Sequence, residues 1–134
     1  MIQPRKILFV CVENSNRSQM SQAFSNMYGG DLVHAYSAGS RPSGILNPKA
    51  IAAMKELGYD LSRHSSKSLD NVQEHAPFDV VVTMGCGDAC PWMPAGKFID
   101  WQIPDPRNMD HDEFNLVRDR IGALVKELIT DLVS

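Results

Sequence analysis

No apolar run in the chain approaches the roughly 20 residues that a membrane-crossing helix needs, so no such helix is expected. Neither sign of charge dominates. Thirteen Lys and Arg stand against sixteen Asp and Glu, a net charge of −3. That leaves no field to hold nucleic acid or an anionic membrane surface. Cysteine is scarce: Cys11, Cys86 and Cys90 are an odd count and a poor match to a secreted disulfide framework. Working thiols of this kind suit a reducing compartment, so a cytoplasmic protein is expected. The four histidines, His34, His64, His75 and His111, show no metal-ligand spacing and read as surface or structural residues. Internal repeats, linkers and low-complexity tracts are absent. The opening MIQPRKILFV has too short an apolar segment for a signal peptide, and no small-residue cleavage site follows it.

What is present is ordinary globular patterning over a length near the commonest domain size, so residues 1–134 are expected to form a single domain around one core. Modest surface hydrophobicity makes a monomer the default. KILFV, Lys6–Val10, is the near-continuous apolar run of a strand buried on both faces. From Arg17 the period becomes helical, with Met20, Ala23, Phe24 and Met27 directed to a core and Gly29-Gly30 as the stop. LVHAYSAG predicts a second strand ending in a glycine turn. Asn47 then caps a helix opened by Pro48, with Ile51, Met54 and Leu57 on one face. FDVVVTM, Phe78–Met84, predicts a third strand, and a short one follows around Lys97–Ile99. The final helix begins at Asp110, with Glu113 as a capping-box partner and a stripe from Phe114 to Leu132. Its charged residues in VRDRIGALVKEL are expected on a solvated face. This order describes a small α/β sandwich with a mainly parallel sheet.

In such sheets ligands bind beyond the carboxyl ends of the strands. CVENSNRS, Cys11–Ser18, occupies that place, between the first strand and the first helix. Five residues, Val12 to Asn16, can curl so that backbone N–H groups face inward, an anion nest reinforced by the helix dipole. Electropositive surroundings favour a thiolate at Cys11, the nucleophilic form. Arg17 supplies a planar fork for two oxygens of a tetrahedral anion. Ser18 can donate a hydrogen bond to the sulfur, and Asn14 tolerates a left-handed backbone and can brace the loop. Cys86 and Cys90 lie in MGCGDACPWMP, directly after the third strand and at the same sheet end. The residues alone leave three readings of that pair: a redox relay, two unrelated cysteines in a turn, or part of a metal site whose other ligands are not nearby.

VCVENSNRSQM resembles the phosphate-binding loop of the low-molecular-weight protein tyrosine phosphatase superfamily. The similarity continues in order through SAGS, NPKAIAAMKELGYDLSRHSSKSL, VVVTMGCGDAC and DWQIPDP. The resemblance implies a four-stranded parallel sheet with helices on both faces, a three-layer α/β sandwich. It implies Cys11 as nucleophile, Arg17 as anion clamp, the loop Val12, Glu13, Asn14, Ser15, Asn16, Arg17 and Ser18 as the oxyanion site, and Asp105 as general acid. Pro104 and Pro106 restrict the backbone around that carboxylate; without the resemblance Asp105 reads as a loop residue.

The superfamily holds phosphatases and arsenate reductases, which share the first attack on a phosphate-shaped anion. The two further cysteines point to a reductase, because arsenic(V) must receive two electrons. The resemblance then implies that Cys86 attacks the Cys11 adduct and that Cys90 moves the disulfide outward. Thioredoxin, or a glutaredoxin-like protein with a low-molecular-weight thiol, would be the reductant, and no cofactor is needed. RNMDHDEF after Asp105-Pro106 has no aromatic residue before Phe114, unlike the phosphotyrosine cleft of the phosphatases, and Val12 is small and aliphatic. A phosphatase is the alternative, and a non-catalytic oxyanion or redox sensor a third reading. Some relatives bind potassium beside the loop; here Gln22 and Lys67 match the acidic positions, and Lys67 is expected to take the cation's place. Trp92 and Trp101 read as packing residues beside the relay and acid loops, with a docking surface for a redox protein as the alternative.

Overall fold

A computed structural model describes residues 3–84 and 94–133. Strands β1 (Arg5–Cys11), β2 (Val33–Gly39), β3 (Phe78–Thr83) and β4 (Ala95–Asp100) form one sheet in the order β2-β1-β3-β4. All three pairings are parallel. The most apolar segments, β1 and β3, take the two central places, as their burial on both faces requires. β4 runs two residues further at its N-terminal end, and one at the other, than the short strand expected around Lys97–Ile99. It is an edge strand with mostly exposed side chains, which leaves little apolar signal to mark its ends.

The two-residue period of β1 divides the core. Ile7, Phe9 and Cys11 face a large cluster with Met20, Ala23 and Phe24 of helix α1 (Arg17–Gly29) and Phe114, Ile121 and Val125 of helix α4 (His111–Val133). Leu8 and Val10 face the other way, onto Phe78, Val81 and Val72 of helix α3 (Leu69–Val72). Helix α2 (Pro48–Lys55) adds Ala50, Ala53 and Met54 to the larger cluster. Helices therefore cover both faces, with Cys11 on the α1 side. α1 and α4 meet closely at Gly122, where a Cβ would lie 2.9 Å from the Phe24 ring.

Several helical expectations need correction. Met27, expected in the core, is 38% exposed, because it lies in the last turn of α1 where the chain reverses at Gly29-Gly30. Leu57 is also exposed: α2 ends at Lys55, and Tyr59 N–H bonds back to the Met54 carbonyl around Gly58, whose φ is +84°. Gly39 ends β2 as part of the strand rather than as a turn. Arg118, expected on a solvated face, is buried and donates through Nη1 to the Ala53 carbonyl at 3.0 Å and to Glu56 at 3.2 Å. Trp101 packs its ring 5.9 Å from that of Phe9. α3 has too few residues for a periodicity; its sequence mark is Ser68 three residues before Asn71, whose Oδ1 accepts from Ser68 N–H at 3.0 Å. No helix among the described residues is long and apolar enough to cross a membrane.

Candidate active site

Cys11 ends β1 and Arg17 opens α1, so the loop between them is pinned by regular structure at both ends. Every carbonyl from Cys11 to Asn16 is engaged. Those of Cys11, Val12, Glu13 and Ser15 accept from the N–H groups of Ser40, Arg41, Ser43 and Asn47. Ser66 Oγ also donates to Glu13, Gln19 Nε2 to Asn14, and Met20 N–H to Asn16. In a trans peptide the N–H points opposite to the C=O. Carbonyls drawn toward residues 40–47 and α1 therefore turn the following amides toward the cleft, the geometry of an anion nest.

Asn14 is the keystone of the loop. It is fully buried, with φ +52° in the left-handed region that asparagine tolerates. Its Nδ2 donates to Ser18 Oγ at 2.7 Å, and its Oδ1 accepts from Lys67 N–H at 2.7 Å and Gln19 Nε2 at 2.8 Å. Ser18 Oγ lies 2.8 Å from Cys11 Sγ. Because the hydroxyl already accepts from Asn14, its own proton is free to be donated to the sulfur.

Behind Asn14 runs a chain that spacing gave no reason to expect. Gln19 Oε1 can only accept, so His64 Nδ1, 2.9 Å away, is the donor. The neutral ring's Nε2 then accepts the Tyr59 hydroxyl proton at 2.6 Å, and Asn26 Nδ2 donates to Tyr59 Oη at 2.9 Å. Burial pushes the His64 pKa down from 6.5 to about 4, with the Lys67 charge adding to this and Asp60 opposing it. As pH falls below 6.5 the unfolded chain takes up this proton before the folded one does. Stability from the neutral ring is thus present above 6.5 and lost between about 6.5 and 4. Urea midpoints at pH 7 and 4.5 should show that the wild type loses more stability on acidification than His64→Gln; equal losses would refute this.

Lys67 lies beside the same loop. Its Nζ donates to the Ser65 carbonyl at 2.7 Å and reaches Ser37 Oγ at 3.5 Å, and Ser37 Oγ donates to Gln22 Oε1 at 2.6 Å. Burial pushes the ammonium below its usual pKa. Among the described residues no cluster of three His, Cys, Asp or Glu could hold a metal.

The cleft has a volume of about 350 Å3, and Cys11, Arg17 and Asp105 all line it. Arg17 is 7% exposed and donates through Nη1 to the Ile103 carbonyl at 3.0 Å, so one end of its guanidinium is tied to the segment that carries Asp105. Asp105 Oδ1 accepts from Arg107 N–H at 3.0 Å. Arg41 and Arg107, which the sequence did not single out, also line the cleft. Arg107 pairs with Glu13 Oε2 at 3.1 Å. The cleft thus places a buried cysteine, inward amides, an arginine fork and a carboxylate around one cavity, a set able to hold a tetrahedral oxyanion, attack it and protonate a leaving oxygen. Cys86, Cys90 and Trp92 lie outside the described residues. Met84, the residue just before that stretch, is buried and donates its N–H to the Val10 carbonyl at 2.8 Å, next to Cys11.

Residues 6–134 match the low molecular weight phosphotyrosine protein phosphatase family, and the chain belongs to it. Several curated relatives carry the name arsenate reductase. Arsenate reductase 1 of Staphylococcus epidermidis is 42% identical over 129 residues, covering 93% of this chain and 96% of the relative. The glutaredoxin arsenate reductase of Synechocystis is 35% identical over 131 residues, covering 96% and 98%. An arsenate reductase solved in its phosphate-binding state superposes with a TM-score of 0.86 at 35% identity, covering 95% of this chain and 98% of the other. A thioredoxin-dependent arsenate reductase of Corynebacterium glutamicum gives 0.79 at 32% identity, covering 96% and 61%. The four-stranded parallel sheet is the architecture these structures share with the chain.

Proposed function

We propose that the chain reduces arsenate to arsenite, with Cys11 as nucleophile and Cys86 and Cys90 as relay. One arrangement carries this reading: Cys11 Sγ bonded to Ser18 at the floor of a cleft that Arg17 and Asp105 also line. The loop amides and Arg17 hold the oxyanion, and the Cys11 thiolate attacks arsenic(V). Asp105 protonates the departing oxygen, which leaves as water. The Cys86 thiolate then attacks the Cys11 sulfur. The sulfur–arsenic bond breaks, its electron pair goes to arsenic, and arsenite leaves behind a Cys11–Cys86 disulfide. Cys90 attacks Cys86, freeing Cys11 and leaving a Cys86–Cys90 disulfide for a dithiol partner to reduce. Two electrons enter arsenic and two come from the partner, so the cycle balances without a prosthetic group.

Covalent connectivity favours the first hand-off, since Cys86 is two residues along the chain from Met84, whose N–H bonds to the residue before Cys11. The reductant is thioredoxin, or a glutaredoxin-like protein with a low-molecular-weight thiol. The chain works as a cytoplasmic monomer. Cys86→Ser is expected to lower steady-state arsenite release at least about 10³-fold while sparing binding of inorganic phosphate. Undiminished release from that variant would contradict the relay; undiminished turnover of an aryl phosphate, with no arsenite from either protein, would favour a phosphatase.

A further inference from the structure

The segment carrying Asp105 is largely exposed, yet two side chains from elsewhere in the chain grip it and one of its own reaches across to the oxyanion loop. Arg17 takes the Ile103 carbonyl. Arg107 spans the cleft mouth to Glu13 of the oxyanion loop, 94 residues away in sequence. Lys49, in the first turn of α2, donates through Nζ to the carbonyls of Arg107 at 3.0 Å and Met109 at 2.8 Å. The N-terminal end of α2 is in turn tied to the oxyanion loop, because the N–H of its cap residue Asn47 donates to the Ser15 carbonyl at 3.1 Å, and Asn47 Oδ1 accepts from Lys49 N–H at 2.8 Å.

The consequence for Asp105 is geometric. Its Oδ1 is oriented by Arg107 N–H, and the direction of that N–H depends on the peptide planes at residue 107, where Lys49 holds the carbonyl. We infer that Lys49 and Arg107 are positioning residues that hold the Asp105 carboxylate over Cys11: Arg107 by its own N–H and its ion pair across the mouth, Lys49 by fixing the Arg107 and Met109 carbonyls from α2. The inference rests on the reading of Asp105 as the acid. Lys49 does not line the cleft, so its ammonium reaches the site only through the carbonyls of Arg107 and Met109. Arg107 does line it, and its removal would mix anion binding with positioning, which makes Lys49 the cleaner probe.

The test is a double-mutant cycle with Lys49→Met and Asp105→Asn, on full-length protein with unchanged thermal midpoints. The readout is the single-turnover rate at which arsenate consumes two of the three free thiols of the reduced protein. Lys49→Met is expected to slow that rate about tenfold with Asp105 present and to change nothing in Asp105→Asn. The dissociation constant of inorganic phosphate should stay within twofold, and Lys49→Arg should restore most of the rate. An equal loss in the Asp105→Asn background, a parallel loss of phosphate affinity, or no loss at all would overturn the inference. If the wild type is inert to arsenate but cleaves p-nitrophenyl phosphate, the reductase reading falls while the cycle runs on the ester. The same nonadditivity is expected there, because the acid meets a departing oxygen in both reactions.

Discussion

Arg17→Lys is expected to slow arsenate reduction by about 10²–10³-fold, comparable to the removal of a donor from a preorganised oxyanion site. Binding of inorganic phosphate should weaken alongside it. The guanidinium does two things at once: it holds the Ile103 carbonyl with Nη1 and presents the rest of its planar fork to the cleft. A lysine keeps the charge but has a single ammonium, which cannot occupy both positions. It would either leave the Ile103 carbonyl without its donor or withdraw from the anion. Steady-state rates with phosphate as competing inhibitor measure both effects, and a variant within threefold of wild type in each would refute this role.

Gly39→Ala is expected to disable the oxyanion loop without touching any residue that meets substrate. A Cβ at Gly39 would lie 2.6 Å from the Val12 carbonyl oxygen and 2.9 Å from Asn14 N, both backbone atoms of the loop. β2 cannot retreat easily, because seven register pairs bind it to β1, the last of them Cys11 with Gly39. The loop must shift instead, and it carries the amides that define the anion site. A displacement near 1 Å costs about 10²-fold in rate, and overpacking against fixed backbone costs about 1–3 kcal/mol of stability. Rate and urea midpoint should therefore fall together; wild-type kinetics in Gly39→Ala would show that the loop tolerates displacement.

The residues legible in the sequence are those joined by short spacing. Cys11, Asn14, Arg17 and Ser18 fall within eight residues between a strand and a helix, and the structure brings them together as that spacing implies. Asp105 was a different case. Two flanking prolines mark a rigid turn but do not say what it faces, and only the resemblance to the family suggested its cleft. Beyond Asn14 and Lys67, the supports of the site were not legible. His64 looked like one more structural histidine, and its place behind Gln19 depends on a contact 45 residues long. Lys49 sat in a helix turn as an ordinary charged residue until the chain folded it onto residues 107 and 109. Gly39 read as a turn, whereas its lack of a side chain serves the close approach of two backbones. Periodicity reports which face of an element is apolar. It carries no information on which distant carbonyl a polar side chain will meet, and that is where the remaining parts of the site lie.

The central claim is that the two electrons gained by arsenic are drawn through Cys11 from Cys86 and Cys90. Treating reduced full-length protein with arsenate in the absence of any reductant, then mapping its disulfides by peptide mass spectrometry, tests that claim most directly. One equivalent of arsenite, a stoichiometric Cys86–Cys90 disulfide and a free Cys11 thiol are the expected products. Three free thiols with no arsenite released would contradict the claim.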